Sequence, residues 1–301
     1  MLFPFQRRRD RLYSAGELFD AFDRRNPASL EQCLDSRIAR HMQESGGLKA
    51  PTEELWARTE HDFHIRQAMT RFLADFDPSR VVAILGGHAL QRTDPCYRLV
   101  VEVSKRLAER GRLMLSGGGP GAMEATHLGA WLAGRGDSAM DDALSILAPA
   151  RDHHSGYWLS TAFEVIERFP QEHGFASLSF PTWHFDNEPS TPFATHIAKF
   201  FENSLREDLL LTEAYGGTLF LPGGPGTLQE IFQEAVQNHY VTLGFPSPMV
   251  FVGKTFWTET VPVFPLLETL VRTGRYNHNH LSLSLVDGAE EALVAMGVEA
   301  P

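Results

Sequence analysis

Cysteine is nearly absent from this chain: among 301 residues there are two, Cys33 and Cys96, with no CxxC pair or other metal-type spacing. That excludes a disulfide framework and a thiolate zinc site, and it fits a reducing compartment. Long apolar runs are missing as well, none approaching the ~20 residues that cross a bilayer. The opening residues Met1 to Gln6, followed by Arg7, Arg8 and Arg9, lack the cationic-then-apolar order of a signal peptide. A cytoplasmic protein without a membrane partner is expected. Positive charge is in deficit, with 27 Lys and Arg against 38 Asp and Glu, a net charge of -11. A nucleic-acid binder shows the opposite balance. A phosphate pocket here must be locally positive inside an acidic envelope, which favours a small ligand.

What is present is a strand-turn-helix grammar. Residues 1–78 read as a helical N-terminal extension, with helical spacing around Leu12 to Phe22 and from Glu53 to Phe76. Gly46-Gly47 and Ala50-Pro51 interrupt it, and Asp77-Pro78 ends it. Residues 79–301 alternate between short apolar runs and helical segments. Strands are expected at Val81–Leu85, Arg112–Leu115, Leu144–Leu147, Ala176–Phe180, Gly217–Leu221 and Met249–Val252. Helices are expected from Asp94-Pro95 to Gly111, from Ala122 to Ala133, around Tyr157 to Phe169, and from Phe193 to Leu211. This rhythm implies an α/β protein with a Rossmann-like, doubly wound parallel sheet and helices on both faces.

Two glycine turns each join a strand to a helix: Ser116-Gly117-Gly118-Gly119-Pro120-Gly121 and Leu221-Pro222-Gly223-Gly224-Pro225-Gly226-Thr227. A shorter Gly86-Gly87 turn follows the first strand. In an open parallel sheet such turns share one edge, where helix N-termini offer free N–H groups to an anion. Neither long turn is a P-loop, and the first does not fit the dinucleotide spacing. The second is followed by Glu230, which puts a carboxylate beside a candidate phosphate site. Thr227 and Glu230 also read as a capping box, in which Glu230 serves only its helix. His196, Lys199, Asn203 and Arg206 recur at helical spacing, either as a solvated face or as a stripe aiming Arg206 at phosphate or ribose.

Residues 222–230 resemble the P-G-G-x-G-T-x-x-E signature of LOG-type ("Lonely Guy") nucleoside monophosphate phosphoribohydrolases, often mislabelled lysine decarboxylases. Gly117-Gly118-Gly119-Pro120-Gly121-Ala122-Met123 resembles that family's earlier G-G-G-x-x-G-x-M loop. Gly86, Pro95 and Tyr97 resemble its first loop and helix, and Arg206 its conserved arginine. The resemblance spans roughly residues 80 to 295. It implies hydrolysis of a nucleoside 5′-monophosphate to free base and ribose 5-phosphate, with no cofactor and with at least a homodimer. Glu230 and Arg206 would be catalytic. Gly86, Gly87, Ser116, Gly117, Gly118, Gly119, Gly121, Gly223, Gly224, Gly226 and Thr227 would hold the nucleotide. The chain departs from the pattern at Glu207, where the family has lysine, at Glu124, where many plant-type members have glycine, and at Gly87-His88.

The lysine decarboxylase label fails on chemistry, since none of the four lysines (Lys49, Lys105, Lys199 and Lys254) has a recognisable cofactor context. The alternative function is a non-catalytic nucleotide- or cofactor-binding protein on the same fold. The histidine pairs His61/His64, His153/His154 and His278/His280 read as loop or surface residues, so no metal is expected. Trp183, His184 and Asp186 follow a strand end and are candidates for lining a base pocket.

Overall fold

The computed structural model describes residues 3–171, 174–184 and 189–298. In chain order its elements are α1 (Ala15–Leu18), α2 (Leu34–Glu44), α3 (Thr52–Leu73), β1 (Val81–Leu85), α4 (Pro95–Glu109), β2 (Leu113–Ser116), α5 (Ala122–Leu132), α6 (Asp137–Leu147) and α7 (Trp158–Arg168). There follow β3 (Ser177–Ser179), β4 (His196–Ile197), α8 (Asn203–Thr212), β5 (Thr218–Phe220), α9 (Pro225–Tyr240), β6 (Met249–Val252), α10 (Val263–Arg272), β7 (Leu283–Val286) and α11 (Ala289–Ala295).

The seven strands form one sheet in the order β4-β3-β2-β1-β5-β6-β7, and every pairing is parallel. The chain builds outward from β1 to β4, then returns to the other side of β1 as β5. This reversal makes the β1/β5 boundary a topological switch point, the place where open parallel sheets bind ligands in a crevice beyond the strands' carboxyl ends. Side chains alternate between two faces, because a strand repeats every two residues. Val82, Ile84, Met114, Leu219 and Val250 pack with α4, α5 and α11 on one face. Val81, Ala83, Leu85, Leu115, Phe220 and Phe251 share a second cluster with α8, α9 and α10 and with Phe5, Tyr13, Leu18, Ile38 and Ile65 of the N-terminal segment. That segment also covers the β4 edge, where Tyr13 and Ile197 exchange both backbone hydrogen bonds, at 2.9 and 3.0 Å.

Two sequence expectations fail here. Leu144–Leu147, expected as a strand, is the last turn of α6. Met140, Ala143 and Leu147 give that helix its buried side, and a four-residue apolar run does not by itself distinguish strand from helix. The helix expected from Phe193 to Leu211 is instead β4, a turn and then α8. Phe193, Ala194, Ile197, Ala198, Phe200 and Phe201 are all buried, so the segment has no solvated face. His196, Lys199, Asn203 and Arg206 therefore do not form one stripe: the His196 ring lies on Phe72, and Lys199 is buried against Asp35.

Candidate functional site

The crevice is assembled around the Gly86-Gly87 turn after β1. Gly87 N–H donates to the Pro222 carbonyl at 3.1 Å, and Gly87 O accepts from Ala122 N–H at 3.2 Å, so one dipeptide ties both glycine turns together. A Cβ on Gly86 would stand 2.7 Å from Leu221 Cβ and 2.9 Å from Ala122 Cβ. Gly121 has φ +70°, and a Cβ there would meet Gly87 O at 2.5 Å. These two positions are closed to any larger residue by the protein's own packing. Gly224 and Gly226 differ: a Cβ on either meets nothing within 4 Å, and both are exposed. Their missing side chains keep the crevice open without serving internal packing.

Helices α5 and α9 both start at this edge without a side-chain cap. Ala125 N–H and Leu228 N–H are the first to reach a carbonyl four residues back, at Gly121 and Gly224. Among the described residues the preceding N–H groups of Met123, Glu124, Gly226 and Thr227 have no hydrogen-bond partner, the usual state of a helix's first turn. By contrast α4 is closed, since Asp94 accepts from Cys96 N–H at 2.8 Å as its sequence suggested. Ser116 is fully buried: its hydroxyl donates to Ile84 O at 2.7 Å, which ties β2 to β1, and its carbonyl accepts from Phe180 N–H at 2.9 Å. Gly118 O accepts from Thr191 N–H at 2.8 Å, and Gly119 is buried.

The capping-box reading of Glu230 is overturned. Helix α9 begins at Pro225 with Gly224 as its N-cap, so Thr227 is the third helical residue and Glu230 lies in the second turn. Thr227 is buried against Gly223. Glu230 is therefore free of a capping duty and sits partly buried at the crevice. Burial pushes its carboxyl up to about 7; the Arg206 guanidinium works against this, and the Glu207 carboxylate adds to it. Arg206, 9% exposed, has its Nη1 3.4 Å from where a Gly117 Cβ would lie. Its Nε donates to Asn203 Oδ1 at 3.2 Å, and neither Nη has a hydrogen-bond partner among the described residues. Glu207 is held by Asn203 Nδ2 at 2.9 Å and Gln229 Nε2 at 2.8 Å, which fastens α8 to α9.

Sequence reasoning missed the support beneath this edge. Arg92, at 4% exposure, sends two hydrogen bonds to the fully buried Glu124 and others to Ala150 O, Thr161 Oγ1 and Trp158 O. Tyr97 OH donates to the same carboxylate at 2.9 Å. Glu124 thus anchors the first loop to α4, α5 and α7. No local pattern marks Arg92, because its partners lie 32 to 69 residues away.

Trp183 does not line the crevice. It is 3% exposed, donates Nε1–H to Asp35 Oδ1 at 2.7 Å and packs against Phe201, Tyr13 and His61. The N-terminal segment folds over it and removes it from a ligand's reach. The His184 N–H donates to Thr182 Oγ1 at 2.9 Å, while Asp186 lies outside the described residues. His61, expected near the surface, is fully buried between Tyr13 and Asp62. Among the described residues no three His, Cys, Asp or Glu side chains are grouped to hold a metal ion, and no helix is long and apolar enough to cross a membrane.

No protein-family profile matches the sequence, and no curated protein matches it significantly. Among solved structures, the chain is similar to the structural-genomics target TM1055, with 16% identity and a TM-score of 0.45 over 72% of this chain and 98% of that one. It is also similar to the molybdenum cofactor binding protein of the phototrophic bacterium Rippkaea orientalis, with 11% identity and a TM-score of 0.43 over 72% and 94%.

Proposed function

We propose that the crevice binds a nucleoside 5′-monophosphate and hydrolyses its N-glycosidic bond. The observation that carries this reading is a carboxylate held near neutrality, Glu230, beside an arginine with open Nη donors, between two uncapped helix N-termini at the switch point. The resemblance of residues 222–230 to the LOG-type signature points the same way. The free N–H groups of α5 and α9 suit the 5′-phosphate. Ionised Glu230 faces the ribose, where it stabilises an oxocarbenium-like transition state or takes a proton from the attacking water. Water oxygen bonds to C1′, and the base departs with the electron pair of the broken C–N bond and gains a proton. Arg206 orients substrate and carboxylate through charge-assisted bonds. No step needs a cofactor, the family resemblance implies at least a homodimer, and the acidic balance speaks against a nucleic-acid partner.

The test is incubation with a panel of nucleoside monophosphates, with free base and ribose 5-phosphate followed by chromatography. Product with at least one nucleotide, and a folded but inactive Glu230→Gln variant, are expected. Tight nucleotide binding without product would instead support a carrier.

A further inference from the structure

Helix α8, which carries Arg206, opens without a side-chain cap from its own segment. Glu202 is its N-cap residue but makes no side-chain cap. The carboxylate at that place comes from α3 in the N-terminal segment. Asp62 accepts from Phe201 N–H at 3.0 and 3.1 Å and from Glu202 N–H at 2.9 Å. It is 3% exposed, and its orientation is fixed in turn. His61 Nδ1 lies 2.9 Å from Asp62 Oδ1, and Tyr13 OH lies 2.9 Å from His61 Nε2. Arg206 follows within one turn: its N–H reaches Glu202 O at 3.3 Å, and its Nε is braced by Asn203.

A buried carboxylate is a costly way to satisfy two N–H groups that water could serve. Its hydrogen bonds to the sheet domain fall on the two residues that launch α8. Resting on the reading of Arg206 and Glu230 as the reacting pair, we propose that Asp62, oriented by His61 and Tyr13, is a positioning residue of the crevice. It fixes the start of α8 from the N-terminal segment and so sets the Arg206 guanidinium beside the Gly117 loop and within electrostatic reach of Glu230. On this account residues 1–78 complete the site.

The test reads the titration midpoint of Glu230, which both Arg206 and Glu207 of α8 face. It uses carboxyl ¹³C NMR on the full-length, glutamate-labelled protein, with Glu230 identified as the resonance lost in Glu230→Gln. Asp62→Asn keeps the shape but puts a donor where an acceptor is needed. It is expected to raise the midpoint by about half to one pH unit, toward that of Arg206→Ala. Removing the negative charge of Asp62 would by itself lower the midpoint, so a rise reports the displacement of Arg206. Ile38→Ala, a cavity in the same segment, lowers Tm and should leave the midpoint in place. An unchanged or lowered midpoint in Asp62→Asn, or an equal rise in Ile38→Ala, overturns the proposal. If Asp62→Asn does not fold, Asp62→Glu shifts the carboxylate by one methylene and is judged by the same criterion. Because the midpoint needs no substrate, a wild type that releases no base defeats the hydrolase reading alone. Where turnover is seen, Asp62→Asn should lose about 10- to 100-fold in kcat with a smaller change in KM.

Discussion

Glu230 with a carboxyl near 7 is about half protonated at neutral pH, whereas an ordinary glutamate is almost wholly ionised. If the ionised form stabilises the transition state, kcat/KM with an accepted nucleotide should rise about tenfold per pH unit below 7 and level off above it. A profile that falls across that range would assign Glu230 the role of acid and remove the role argued above. The strand, glycine turn and helix that carry Glu230 were legible because they form one local pattern, whereas Arg206 lies on the preceding helix and was marked in the sequence only by a stripe that the fold breaks and by the family resemblance. Asp62 and Arg92 were not legible, since the groups they hold lie 139 to 140 and 32 to 69 residues away and leave no periodic trace. Trp183 was misread for a related reason: an aromatic at a strand end serves a ligand or a core equally well, and here the covering segment comes from the far N-terminus.

At the scale of elements, the two turns use glycine for different ends, and that difference is measurable. Gly226 is the second residue of α9 with open space where a Cβ would go, so Gly226→Ala should keep or slightly raise Tm, by helix propensity. The added methyl stands at the crevice mouth, and nucleotide affinity should fall tenfold or more. Gly121→Ala should instead lower stability by about 2 kcal/mol or more, from the positive φ and the clash with Gly87 O. Thermal melts paired with nucleotide titration separate the two, and unchanged affinity in Gly226→Ala would move the ligand away from α9. The central strands β1, β2, β5 and β6 were legible because burial on both faces makes them continuous apolar runs. The edge strands were not: β4 is two residues long, and β7 is mostly half-buried, so neither carries a distinct pattern.

At the scale of the whole molecule, the crevice and the core pull the pH dependence of stability in opposite directions. Burial pushes the carboxyls of Glu230 and Glu234, both on α9, from the ordinary 4.5 up to about 7. A carboxyl raised on folding binds its proton more tightly in the native state. Its stability contribution is complete below about 4.5 and is lost as pH climbs through 7. Fully buried His127 behaves in the opposite sense. Its ring is pushed down to about 3, so below 6.5 the unfolded chain takes up a proton that the native state refuses. Acid destabilises through His127 and alkali through the α9 carboxylates. Glu230→Gln removes one alkaline contribution, on the order of 1–3 kcal/mol given the partial exposure of Glu230. The Tm difference between the variant and the wild type should therefore be near zero at pH 4.5, grow through pH 7 and then level off. A difference that stays flat across this range would mean that Glu230 is solvated as an ordinary surface carboxylate, and the crevice would lose the tuned group on which its proposed chemistry depends.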